Sequence, residues 1–314
     1  MTGARLLDRA ETAFSPRHQR AALDLARRLP GLMMTAKEVA ASVLHGVHGR
    51  RRAGIGETFW QFRPFVAGES LAGVDWRRSA RDDRLYIRER EWEAAQTVWI
   101  WMDRSPSMAF VSASALAAKL DRALVLGLAA ADLLVRSGER VGIPGLTRPL
   151  ATRGIIERLA EALLNETQER SAAELPDDVP LAPQSQAIIL SDFLRPPDEI
   201  AATVRAMAGR GARGHLIMIT DPVEETFPFE GHTEFIDVDS NARFRASRAQ
   251  DFRADYTTRL AAHRDAVANA ASRQGWSFAL HRTDKPASQA LLHLAMQLGG
   301  GVSRAFSAGG GQRG

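Results

Sequence analysis

Cysteine is absent from all 314 residues, which excludes disulfides, zinc–thiolate sites and thiol nucleophiles and makes a cytoplasmic address the expectation. Lysine is almost absent: Lys37, Lys119 and Lys285 are the only lysines among 41 basic residues. The remaining cations are arginines, whose planar fork suits paired contact with carboxylates better than diffuse surface charge. No run approaches the ~20 apolar residues that span a bilayer. The longest candidate, residues 123–135, is interrupted by Asp132, so no transmembrane segment is expected. The first twenty residues carry Arg5, Asp8, Arg9, Glu11, Arg17 and Arg20, unlike the apolar block of a signal peptide. There is no Gly-x-x-x-x-Gly-Lys-Ser/Thr phosphate loop, and Gly54-Ile55-Gly56 follows no strand pattern, so the chain is not expected to be an ATPase.

What is present supports a sizeable core. The chain is 45% hydrophobic and 25% charged, enough for one large domain plus a smaller one. Residues 1–100 hold 17 basic and 12 acidic side chains, against 24 and 25 in the remainder, so the basic excess lies at the front. Acidic residues interleave with these arginines and no reader motif accompanies them, so nucleic acid is not an expected partner.

The most informative stretch is Thr97-Val98-Trp99-Ile100-Trp101-Met102-Asp103-Arg104-Ser105-Pro106-Ser107-Met108. Its first six residues are β-branched, aromatic or bulky, the pattern of a strand buried on both faces. Asp103, Ser105 and Ser107 follow at alternate positions, so a loop leaving the strand can turn three oxygens toward one point. A second apolar run, Ala187-Ile188-Ile189-Leu190-Ser191, ends at Asp192. Adjacent parallel strands bring two such ends together. One or two carboxylates with hydroxyls and water suit Mg²⁺ or Mn²⁺. The alternative is structural: Asp and Ser are also what a helix N-cap requires.

The remaining pattern alternates strands and helices. Ser15-Pro16 opens a helix over 15–29 that Pro30-Gly31 is expected to stop, with a second helix over 35–45. A wide apolar face over 119–137 predicts a helix ending at Ser137-Gly138. Strands are predicted over 140–146, 187–191, 215–220, 233–238 and 276–281, and helices over 154–164, 198–208, 246–275 and 287–298. Such alternation means a parallel sheet covered on both faces. Asp221-Pro222-Val223-Glu224 sits at the next strand end, where it either reaches the metal or caps a helix, and the cap or turn is the favoured reading. His45 and His48 have only helical spacing and no third ligand, which is weak for a metal.

Residues 57–93 alternate aromatic and charged side chains, as short strands with one dry face do, and their arginines and carboxylates are expected to pair internally. Here the chain resembles a known family. Glu57 through Phe65, Gly68-Glu69, Val74-Asp75-Trp76, Ser79-Ala80-Arg81, Leu85-Tyr86 and Arg88-Glu89 are similar to the signature of the bacterial DUF58 proteins, in which this block precedes a von Willebrand factor A domain. Phe65, Glu69 and Val74 stand where the family usually has Tyr, Asp and Ile. The resemblance implies an α/β, doubly wound, mostly parallel sheet with a smaller β-rich N-terminal domain preceded by helices. The expected divisions are helices over 1–48, the β-rich region over 49–95, the A-like domain over 96–300 and a disordered tail over 301–314.

The resemblance also implies a metal-ion-dependent adhesion site, with Asp103, Ser105, Ser107 and Asp192 as metal ligands. The family's intervening threonine has no clear counterpart, and Thr167 or Ser171 are the candidates. DUF58 proteins are associated with MoxR-type AAA+ ATPases, so the implied role is a non-enzymatic adaptor or co-chaperone. A cation held by two carboxylates and neutral hydroxyls keeps spare charge for a carboxylate from a protein partner. Two other classes stay open: a structural A-like scaffold with a degenerate metal site, and a metal-dependent hydrolase, for which no positioned base or oxyanion motif is evident.

Overall fold

The computed structural model describes residues 16–48, 59–66, 69–71, 74–81, 84–90, 95–166, 172–177, 180–236 and 242–298. In chain order the elements are α1 (Pro16–His48), β1 (Phe59–Pro64), α2 (Trp76–Ser79), β2 (Tyr86–Arg90), β3 (Thr97–Met102), α3 (Lys119–Arg136), β4 (Arg140–Gly142) and α4 (Ile155–Leu164). There follow β5 (Gln186–Ser191), α5 (Pro197–Ala208), β6 (Arg213–Thr220), α6 (Pro222–Thr226), β7 (Thr233–Ile236), β8 (Arg243–Ala246), α7 (Arg253–Ser272), β9 (Ser277–Arg282) and α8 (Ala287–Gln297).

Five strands form one parallel sheet in the order β4-β3-β5-β6-β9. The apolar runs alternate between its two faces, as strand geometry requires. Ile100, Ile188, Leu190, Ile217 and Ile219 point into a core completed by α1, α3, α4 and α8. Trp101, Ala187, Ile189, Leu216 and Met218 point into a second core with α5 and α7. Each fully buried aliphatic side chain contributes about 1.5–3 kcal/mol, so the two layers account for much of the stability. The chain steps from β3 to β4 in one direction and then to β5 in the other. The crevice where ligands gather on such sheets therefore lies at the carboxyl ends of β3 and β5.

Gly127 sits where α3 crosses β3. A Cβ there would stand 2.3 Å from Met102 Sδ, so any larger residue would force the Met102 side chain to shift. The approach fixes the start of α3 beside the end of β3.

Before the sheet, β1 and β2 pair antiparallel, with α2 between them and Val74 bridged to Ile87. The expected internal pairing is seen at Arg63, which holds Glu69 through two bonds of 2.8 and 2.6 Å. Arg78 lies over the rings of Phe62 and Tyr86 at 5.9 and 5.2 Å, a cation–π arrangement.

Several expectations need correction. The two N-terminal helices are one, with Pro30 inside it. An internal proline costs about 3 kcal/mol. Burial of Leu29 before it and of Ala36, Ala40 and Val43 after it, against α3, α4 and α8, offsets that cost. The strand expected over 140–146 stops at Gly142, because Pro144-Gly145 turns the chain, with Gly145 at φ 68°. The helix expected over 246–275 begins only at Arg253, because Arg243-Phe244-Arg245-Ala246 alternates with period two and pairs antiparallel with β7, outside the main sheet. Among the described residues no helix is long and apolar enough to cross a membrane. The loop expected over 49–56, the tail over 301–314 and the side chains of His45 and His48 lie outside the described residues.

Candidate functional site

Met102 pairs with Leu190 in register, so the residues that follow, Asp103 and Ser191-Asp192, leave the sheet side by side. Asp103 N donates to Leu190 O at 2.8 Å and carries the pairing one residue past the strand. The four oxygen-bearing residues picked out in the sequence meet here. Asp103 is fully buried and held by two donors: Ser105 N to Oδ1 at 2.8 Å and Ser191 Oγ to Oδ2 at 2.6 Å. Ser105 Oγ and Ser107 Oγ lie 3.1 Å apart, and Ser107 Oγ donates to Asp192 Oδ2 at 2.7 Å.

A sharp turn aims Asp192. Phe193 adopts φ 49°, a conformation that costs a bulky residue about 1–3 kcal/mol. Its ring is buried, its N–H donates to Ser191 Oγ at 2.9 Å, and its carbonyl lies 2.6 Å from His263 Nε2. Those contacts hold the turn.

One cation enters from α3. Lys119, 1% exposed, donates through Nζ to Asp192 Oδ2 at 3.0 Å and to Glu224 Oε1 at 2.5 Å. Burial alone lowers a lysine pKa, but the charges of Asp192 and Glu224 outweigh it and hold the pKa above the ordinary value. The ammonium is therefore ionised. Glu224 belongs to a capping box on α6: Asp221 Oδ1 accepts from Val223 N at 2.9 Å, and Glu224 Oε2 from Asp221 N at 2.8 Å. Asp221 is thus the cap its sequence suggested, with Ser112 N also bonded to Oδ2 at 2.8 Å.

The acids outnumber the cation. Among the described residues Lys119 contacts Asp192 and Glu224, and Asp103 lies close enough to Asp192 to feel its charge. Burial, and then the charge of Asp192, push the Asp103 carboxyl up to about 7, against the bonds from Ser191 and Ser105. Unmatched negative charge beside converging serine oxygens is what a hard divalent cation would neutralise. Asp103, Ser105, Ser107 and Asp192 thus fit a magnesium-type donor set. Among the described residues no cluster of three or more His, Cys, Asp or Glu side chains could hold a metal, so any such site here is of the mixed carboxylate–hydroxyl kind.

Arg104 forms a buried ion pair with Glu166. That pair anchors the residue preceding Thr167 beside the Asp103 loop. Thr167 and Ser171, the candidates for the further hydroxyl, lie outside the described residues. Sequence reasoning missed Lys119, Ser191 and the bridging role of Glu224. The available signal was the rarity of lysine in an arginine-rich chain, at the first position of an apolar helix.

A family model described as "Protein of unknown function DUF58" matches residues 61–266. Relatives include Uncharacterized protein Mb1516 of Mycobacterium bovis and Uncharacterized protein Rv1480 of Mycobacterium tuberculosis. Each is 26% identical over 278 residues, covering 83% of this chain and 86% of the relative. A solved structure described as conserved hypothetical protein BatB from Bacteroides thetaiotaomicron is 13% identical and covers 68% of this chain and 100% of that one. Its TM-score of 0.34 is too low to carry an argument.

Proposed function

Because the chain belongs to the DUF58 family, whose description names no activity, function has to be argued from the site, and we propose a non-enzymatic, metal-dependent protein-binding module. In this reading the α/β domain is von Willebrand factor A-like. Asp103, Ser105, Ser107 and Asp192 would hold Mg²⁺ or Mn²⁺, and the partner is a MoxR-type AAA+ ATPase in the cytoplasm, for which the chain acts as adaptor or co-chaperone. The observation that carries the proposal is the meeting of these four residues at the switch point of the sheet, with Ser107 Oγ 2.7 Å from Asp192 Oδ2 and more buried acid than cation around them. A bound divalent ion would supply positive charge with a coordination place left for an Asp or Glu of the partner.

The protein's own groups set the rest. Ser191 and Ser105 fix the Asp103 carboxyl, and the Phe193 turn fixes Asp192, so the oxygens are arranged before any ligand arrives. The Lys119 ammonium on Asp192 favours a second reading, a scaffold in which a tethered cation takes the place of a bound ion.

Binding to a purified MoxR-type AAA+ ATPase tests the proposal. Association in Mg²⁺ that is lost in EDTA and in Asp103→Ala is expected. Association indifferent to both treatments would sustain only the scaffold reading.

A further inference from the structure

Lys119 is an unusual choice for its place. It is the first residue of α3, where exposed N–H groups already carry partial positive charge and a cation is disfavoured. Its side chain is as buried as the core leucines, so charge has been brought into the site at a cost in desolvation. Nζ ends 3.0 Å from Asp192 Oδ2, the oxygen that also accepts Ser107 Oγ, while among the described residues Asp192 Oδ1 has only the long 3.4 Å contact from Leu194 N. A divalent ion using Asp192 must share that carboxylate with a fixed like charge.

Glu224 opposes this effect. Its Oε1 lies 2.5 Å from Nζ, closer than Asp192, and its Oε2 is locked onto the N–H of Asp221, so its carboxylate cannot swing away without breaking the start of α6. How much of the ammonium's charge is felt at Asp192 therefore depends on a residue from the end of the neighbouring strand.

Resting on the metal reading above, we infer that Lys119 is a built-in competing cation that weakens divalent-ion binding by Asp103, Ser105, Ser107 and Asp192, and that Glu224 offsets it. A purely structural lysine predicts no gain of affinity on its removal. A competing one does.

Titration of Mn²⁺ into the full chain, wild type, Lys119→Met, Lys119→Arg and Glu224→Gln, with folding checked by circular dichroism, separates the two. Lys119→Met is expected to bind on the order of tenfold tighter or more, because like charges a few ångströms apart in a partly dry site repel strongly. Lys119→Arg keeps the charge and gains nothing; Glu224→Gln binds several-fold weaker. If wild type binds and folded Lys119→Met binds no tighter, the competing role is overturned while the metal reading stands. If wild type is silent and Lys119→Met titrates, the competing role is upheld and the metal-dependent reading of the natural chain fails. If neither binds, both fail. Should Lys119→Met not fold, Glu224→Gln decides: weaker binding upholds the inference and equal or tighter binding overturns it.

Discussion

Two buried cations sit one turn apart on α3 and are satisfied in opposite ways. Lys119 is held by carboxylates, in a cluster that still carries more acid than base. Arg122 is held by neutral acceptors: it donates to Thr283 O at 3.0 Å and to Lys285 O at 2.5 Å, and its Nη1 lies 3.2 Å from His281 Nε2. A guanidinium can only donate, so His281 Nε2 accepts and the ring proton sits on Nδ1. The Arg122 corner clamps the loop after β9 to α3, its charge held by neutral acceptors and acted on by Asp284 without a carboxylate in contact. The Lys119 corner leaves charge unbalanced where the sheet reverses direction. Buried charge that is closed off serves the fold, and buried charge left open marks a place for something else to bind.

Acid should separate the corners most strongly. His281 is depressed to about 4, first by burial and then by Arg122, and His215 to about 4, first by burial and then by His293. Their unfolded values lie near 6.5, so above that pH neither affects stability. As pH falls from 6.5 to 4 the unfolded chain takes up protons that the folded chain refuses. Each histidine then removes about 3 kcal/mol. Urea denaturation at stepped pH measures the loss, and His281→Asn should remove about half of it.

Asp103 has the opposite slope. Its folded value of about 7 lies above the unfolded 3.8, so in metal-free protein its burial costs about 4 kcal/mol above pH 7, and the cost fades as pH drops toward 4. Asp103→Asn removes this compensation, and the acid loss in EDTA should become steeper than in wild type. An unchanged profile would mean Asp103 is ionised and balanced without metal.

Arg122→Met, next in size, leaves the buried Thr283 carbonyl and the partly buried Lys285 carbonyl without their donor and should cost about 2 kcal/mol in urea denaturation. It should leave Mn²⁺ affinity in the folded fraction unchanged. A change in affinity would show that the two corners are coupled along α3.

Much of this arrangement was legible in the chain. Asp103-x-Ser105-x-Ser107 and Asp192 were visible because short apolar runs end abruptly in small polar residues, and parallel pairing then places the ends together. Asp221 was readable as a cap from local pattern alone, and Ser137-Gly138 as a helix end. Features set by partners far along the chain were not readable. Lys119 and Glu224 are 105 residues apart. Pro30 looked like a stop because the face of α1 that packs on α3, α4 and α8 outweighs a local rule. The strand at 243–246 was hidden because its partner β7 lies outside the main sheet.

Calorimetric titration of Mn²⁺ into wild type and Asp103→Ala addresses the shared-ion claim most directly. One site in wild type and none in the variant is the expected result. Identical traces from the two proteins would contradict it and leave the carboxyl ends of β3 and β5 as a polar corner neutralised from within.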